Sequence, residues 1–177
     1  YKVIIMTADN DNTIQSQGLY VWQADNMLAA TASLDGHWQP ATGQAESTNS
    51  VNSTRIATDT RTIKAGDIFL ALTGDNFDGH DYIELAASKG AVAAIVSRPI
   101  STDIPQLVVS DTRLALGQLA SYRRQQHKDL TVIAITGSSG KTTCKEMLGS
   151  IFGRLAPTLI TRGNLNNDLG VPMMLLE

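Results

Sequence analysis

A single cysteine, Cys144, is all that this chain of 177 residues carries. No internal disulfide framework is therefore open to it, and no grouping of Cys and His has the spacing of a zinc site. Such a chain suits a reducing compartment, and the cytoplasm is the one expected. Long apolar runs are missing too. The longest, such as GAVAAIV at 90–96, fall far short of the roughly 18 residues that a membrane span needs. The apolar part of the leading YKVIIM is too short for a secretory leader, so none is expected. Nor is basic charge in excess: 14 Lys and Arg stand against 17 Asp and Glu, for a formal net charge of -3, and the basic residues are scattered. Nucleic-acid binding needs a concentrated basic patch, so a small molecule or a protein is the expected partner. No repeat of fixed period is visible.

What is present is enough hydrophobic residue, 42%, to bury a core. WQADNMLAA at 22–30 reads as a short amphipathic helix with Ala24, Met27 and Leu28 on one face. Residues 40–54, rich in Ser, Thr, Asn and Gly, read as a loop. STRIATDTR at 53–61 reads as extended, and GDIFLALT at 66–73 as a strand. A helix is expected from Asp81, with Asp81 and Glu84 forming a capping box and Gly90 a left-handed terminus. AVAAIVS at 91–97 and QLVVS at 106–110 are short buried strands, and Asp111 caps a helix to about Gln126 with Ala115, Leu119 and Tyr122 on one side. This alternation predicts an α/β fold with a mostly parallel sheet. The polar stretch RRQQHKDL at 123–130 places a domain boundary near residue 129, giving domains 1–129 and 130–177. The second is too small to bury its own apolar surface, so the chain is expected to be incomplete at its carboxyl end.

At 136–143 the chain reads TGSSGKTT, after the β-branched strand LTVIAI and before KTTCKEMLGSIF, a helix with Cys144, Met147, Leu148, Ile151 and Phe152 on one face. Strand, glycine loop and helix is the arrangement that turns backbone N–H groups and a helix N-terminus toward an anion. Gly137 and Gly140 permit the tight path, and Lys141 supplies a point charge to β and γ phosphates. Thr142 offers a hydroxyl to Mg²⁺. The plainer alternative is a glycine turn with a solvated lysine. Cys144 reads as helix packing toward the core rather than as a reactive thiol. Further on, TRGNLNNDLGVP at 161–172 crowds Asn164, Asn166 and Asn167, which can orient a polar ligand or simply form a turn. TDTR at 58–61 and LTGDNFDGHD at 72–81 set Arg61 and small polar groups at strand ends. Arg61 suits a phosphate or carboxylate, or an ion pair with Asp59 or Asp67. His80, just before the expected cap, suits a structural role.

Taken in order, TDTR, GDNFDGHDYI with GAVAAIVSR, TGSSGKTT and TRGNLNNDLGVP resemble the Mur ligases of peptidoglycan precursor synthesis. The likeness runs from about Trp22 onward, omits only 40–54, and accounts for the short glycine spacing. It implies a small amino-terminal UDP-substrate domain followed by the start of a P-loop ATPase domain. Thr60 and Arg61, with Phe77, Asp78 and His80 beside them, would bind the UDP-sugar. Gly137, Ser138, Ser139, Gly140, Lys141, Thr142 and Thr143 would hold ATP, with Lys141 and Thr142 serving the chemistry and Thr142 ligating Mg²⁺. Asn164, Asn166 and Asn167 would face the muramoyl-peptide or the phosphates. The GNLNNDLGVP run resembles the branch that joins D-alanyl-D-alanine to UDP-MurNAc-tripeptide. The alternatives are a branch that adds an amino acid and a UDP-sugar-binding module without turnover. The family's second metal carboxylate, adenine pocket and carboxyl-terminal domain would lie beyond residue 177, so the chain alone is expected to be inactive.

Overall fold

Short β-branched strands alternate with amphipathic helices throughout the computed structural model, which describes residues 2–7, 20–43, 51–127, 130–163 and 165–176. The first elements are strand β1 (Lys2–Thr7), β2 (Trp22–Gln23), helix α1 (Ala24–Ala30), β3 (His37–Gln39), β4 (Asn52–Ser53), β5 (Ile56–Ala57) and β6 (Ile68–Leu70). Then follow β7 (Thr73–Gly74), β8 (Phe77–Asp78), α2 (Ile83–Ser88), β9 (Ala93–Val96), β10 (Gln106–Val108) and α3 (Thr112–Gln126). The last are β11 (Leu130–Ile135), α4 (Lys141–Phe152), β12 (Thr158–Ile160) and α5 (Gly170–Leu175). The chain gathers into two compact units, Leu19–Leu119 and Tyr1–Gly18 with Ala120–Glu177.

In the unit Leu19–Leu119 a five-stranded sheet has the order β3-β10-β9-β6-β5. The four strands from β10 to β5 run parallel, and only β3, at the edge, runs against its neighbour. Every residue of β6, β9 and β10 is buried, as strands covered on both faces require. Phe69, Ala94, Val96 and Val108 from the sheet pack with Ile83 and Ala86 of α2 in one apolar cluster. Gly90, at φ 91°, ends α2 in the left-handed conformation that the sequence suggests, and a Cβ there would meet the Ala65 backbone at 2.9 Å. Asp111 caps α3 through one carboxylate oxygen, which accepts the amides of Arg113 (2.7 Å) and Leu114 (2.9 Å).

Local expectations shift in three places. The segment 40–54 is not wholly loop: Asn52–Ser53 pairs antiparallel with Trp22–Gln23, so Trp22 opens a strand and its helix starts at Ala24. Residues 44–50 lie outside the described residues. The carboxylate that caps the turn before α2 is Asp78 rather than Asp81, because a 3₁₀ turn, Gly79–Tyr82, precedes the helix and Asp78 accepts the amide of His80.

In the other unit β1 lies between β11 and β12 and runs against both, with Ile4 opposite Ile133 on one side and Ile160 on the other. β11 and β12 are therefore parallel to each other, joined through α4. The sequence places no strand at 2–7, and it sets the boundary near residue 129, which lies outside the described residues. The compact units instead divide within α3 and count the leading strand with the later part of the chain. The apolar stripe of α4 is covered only in part, at half-buried Leu148 and Phe152. Cys144 is exposed, Met147 and Ile151 are 60% and 54% exposed, and the buried residue of this helix is Lys145. Replacing the α3 cap, Asp111→Ala, is expected to cost about 1 kcal/mol; a urea midpoint indistinguishable from wild type would show that the cap is dispensable.

Candidate functional site

Parallel strands put the ends that carry their outgoing loops on one edge of a sheet, and that edge is where ligands are met in open α/β folds. In the unit Leu19–Leu119 the segment 58–62 leaves β5, 71–80 leaves β6, and Ser97–Arg98 leaves β9. The sequence-predicted residues Thr60, Arg61, Phe77, Asp78 and His80 all fall on this edge.

Their side chains do different things there. Arg61 is 87% exposed and grips Asp59, with Nε 3.0 Å from both carboxylate oxygens and Nη2 2.6 Å from Oδ2. The paired guanidinium holds the Asp59 carboxyl below the usual range. Asp67, the other candidate partner of Arg61, pairs instead with Arg55 at 2.7 Å and accepts the Lys64 amide. Arg55 also donates to the Thr62 carbonyl at 3.1 and 3.0 Å. Thr60 is buried, and its carbonyl accepts the Lys89 ammonium at 2.7 Å. The TDTR turn is thus braced by Arg55, Asp67 and Lys89 and presents Arg61.

Phe77 and Asp78 stand on the returning strand of a tight hairpin, and Phe77 is exposed. Asp78 is a hub. Its carboxylate accepts the His80 amide (2.9 Å), His80 Nδ1 (2.5 Å), Arg98 Nη2 (2.7 Å) and the Thr73 hydroxyl (3.3 Å). The His80 amide first, then Arg98 and the His80 ring, hold this carboxyl far below its usual range. His80 Nε2 accepts the Ser97 amide at 2.9 Å, so the ring proton sits on Nδ1 and points at Asp78. The His80 side chain is fully buried. It ties the hairpin to the end of β9 through Asp78 on one side and Ser97 on the other.

In the other unit the loop Gly137–Gly140 leaves β11, and Gly137 and Gly140 take φ of 149° and 75°, values that favour glycine. Gly140 is the N-cap of α4, its carbonyl accepting the Cys144 amide at 2.9 Å. Ser138, Ser139, Thr142 and Thr143 are exposed, and Lys141 folds its ammonium over the loop toward the carbonyls of Gly137 and Ser138. A glycine-permitted turn, a helix N-terminus and a lysine here fit the phosphates of a nucleotide. For Mg²⁺ the fit is narrower: Thr142 offers one hydroxyl, and no cluster of three or more His, Cys, Asp or Glu suited to a metal occurs among the described residues.

Of the asparagines, Asn164 lies outside the described residues. Asn167 turns its Oδ1 to the Gly170 amide (2.7 Å) and so caps the start of α5. Asn166 is half-buried beside it. Gly170 is required by close approach, since a Cβ would lie 2.4 Å from Leu165 Cα. Sequence reasoning missed Lys145, whose Nζ donates to the Thr161 carbonyl at 2.7 Å and reaches Glu146 Oε1 at 2.5 Å. The available signal was its position four residues after Lys141 and four before Gly149, on one face of the helix.

Two models of one family match the chain: "Mur ligase family, catalytic domain" over residues 52–124 and "Mur ligase middle domain" over 135–177. A UDP-N-acetylmuramoyl-tripeptide–D-alanyl-D-alanine ligase of Escherichia coli (strain K12) is 54% identical over 122 residues, 69% of this chain and 27% of that protein. One of the same name from Haemophilus influenzae is 49% identical over 128 residues, 70% of this chain and 28% of its own length. Among solved structures, MurF from Acinetobacter baumannii superposes with a TM-score of 0.77 at 55% identity, covering 90% of this chain and 33% of that one. MurF ligase from Thermotoga maritima in complex with ADP gives 0.56 at 30% identity, covering 69% and 28%. The chain spans about a quarter of the length of the curated relatives it matches.

The Asp78 hub generates a prediction with a defined sign. Its folded-state pKa lies below the unfolded value, so its ionised form adds stability that is present above about pH 4 and lost as pH falls. Urea unfolding at pH 6 and pH 3 is expected to show a larger acid loss for wild type than for Asp78→Asn. Equal losses would mean that the hub contributes nothing to the acid side of the stability curve.

Proposed function

Because this chain belongs to the Mur ligase family, we propose that it is the amino-terminal part of an ATP-dependent ligase of peptidoglycan precursor synthesis in the bacterial cytoplasm, joining D-alanyl-D-alanine to UDP-MurNAc-tripeptide. The observation that carries this reading is the glycine loop at the end of β11, with Gly137 and Gly140 at positive φ and Lys141 over it. It stands in a chain 54% identical to an enzyme of that name. The adenine nucleotide in the Thermotoga relative supports ATP as the occupant of that loop.

ATP when bound supplies the phosphoryl group that turns the tripeptide's terminal carboxylate into an acyl phosphate, which the amine of D-alanyl-D-alanine attacks with loss of phosphate and a proton. The chain's own part is positioning and charge. The amides of Gly137–Gly140 and the first turn of α4 would cradle the phosphates, and Lys141 would supply its positive charge to the transferring group. Thr142 would offer its hydroxyl to Mg²⁺, which needs a protein carboxylate from elsewhere as well. By itself the chain is proposed to bind rather than turn over. Arg61, exposed and held in orientation by Asp59, meets the UDP-sugar, with Phe77 beside it and Thr60, Asp78 and His80 shaping the turn. Asn166 and Asn167 face the muramoyl-peptide or the phosphates.

Lys141→Ala in the full-length parent is expected to lower kcat by about 10²- to 10³-fold with an unchanged melting temperature, since the Lys141 ammonium lies over its own loop and not in a core. Near-normal turnover would overturn the assignment of the loop. Arg61→Ala is expected to raise KM for UDP-MurNAc-tripeptide well above any change in KM for ATP. Equal rises would leave Arg61 as the brace of Asp59 alone.

A further inference from the structure

We propose that Lys145 is a positioning residue for the ligation, fixing the segment that leaves β12 to the helix that carries the phosphate loop; the kinetic part of this inference rests on the function proposed above. Lys145 is only 4% exposed. Lysine is among the residues least often buried, and an interior ammonium is costly unless it is paired and hydrogen-bonded. Here it is both: Nζ lies 2.7 Å from the Thr161 carbonyl and 2.5 Å from Glu146 Oε1.

Thr161 is wholly buried and is the first residue after β12. Its carbonyl marks the direction in which the backbone leaves the sheet. One turn further along α4, Gly149 comes so close to Ile160 that a Cβ would lie 2.7 Å from Ile160 Cγ2. Two successive turns of α4 thus hold the end of β12, one by close packing and one by a charged hydrogen bond. The far end of the same segment is held as well, by Asn167 on the Gly170 amide and by Gly170 against Leu165. Lys145 is the near anchor. It sits one helical turn from Lys141 and Thr142, so the residues that meet phosphate and those that meet the muramoyl-peptide are referred to one rigid helix.

The test compares Lys145→Met, Lys145→Arg and Glu146→Gln in the full-length parent, by steady-state kinetics and amide hydrogen exchange. Losing a hydrogen bond from a charged donor corresponds to roughly a ten-fold effect. Lys145→Met, which fills the same space without the charge, is expected to raise KM for UDP-MurNAc-tripeptide by about that factor, with KM for ATP changed less than about two-fold. Exchange at residues 162–169 rises and exchange at 130–135 does not. Lys145→Arg restores most of both, and Glu146→Gln, which removes the opposite charge but keeps the bond to Thr161, gives a smaller effect than Lys145→Met on both readouts. If Lys145→Met weakens both substrates alike and speeds exchange throughout 130–176, Lys145 is a general stability residue and the proposal fails. It fails equally if neither kinetics nor exchange changes. Should Lys145→Met not fold, Lys145→Gln decides: lost protection confined to 162–169 supports the proposal, and unchanged protection with unchanged kinetics overturns it. Should the wild-type parent not use D-alanyl-D-alanine, the function proposed above falls, while the exchange pattern still judges the anchor.

Discussion

Parallel strands cannot be joined by hairpins, and much of this structure follows from that constraint. Each crossover must return the chain to the starting edge, so every loop that leaves a strand departs from the opposite edge. In the unit Leu19–Leu119, β5, β6 and β9 obey this rule, and the TDTR turn, the Thr73–Asp78 hairpin and Ser97–Arg98 collect on one rim. In the other unit, β11 and β12 are parallel through their shared partner, which puts the glycine loop and the asparagine turn on one rim too. Residues far apart in sequence become neighbours because the sheet has only one edge to offer them.

What stands on those rims is held by polar groups set just beneath. Asp67, His80 and Lys145 are all buried, and each spends its hydrogen bonds on backbone or on an opposite charge. A buried polar group without such a partner costs a few kcal/mol, so each of these residues specifies one backbone path and penalises others. Above this lower tier Arg61 is oriented by Asp59 and Lys141 lies over the carbonyls of its own loop, while Phe77 and Thr142 are exposed. The division is sharpest at Asp78 and His80, which lie in the same motif as exposed Phe77 yet serve the scaffold.

The elements readable in the sequence were those whose signal is local. The strand, glycine loop and helix at 130–152 are written in β-branched residues, two glycines and a helical period. The Asp111 cap and the left-handed Gly90 needed only their neighbours. Where the reading failed, the deciding partner was distant or the period ambiguous. The strand Lys2–Thr7 has no local signature beyond four apolar residues, and both of its partners lie more than a hundred positions away. The stripe from Cys144 to Ile151 has the period of a buried face, but α4 turns Lys145 and Gly149 to the strand instead. Asp81 and Asp78 are both plausible caps by composition, and only the intervening 3₁₀ turn selects the second. The family likeness named the rim residues as a group, but it could not separate Arg61, which faces out, from His80, which is sealed in.

The placement of β1 also sets an order of events. β1 is held in register by two strands that both lie more than a hundred residues further along, so its ladder cannot form before they are present. Over the intervening synthesis the parallel sheet of residues 19–119 can close, since none of its pairings waits for later sequence. The second sheet carries the long loop-closure penalty of its first strand, which makes it the slow step of folding. Until that step, Lys2–Thr7 is an apolar, β-prone segment without its ladder, open to strand exchange with a neighbour.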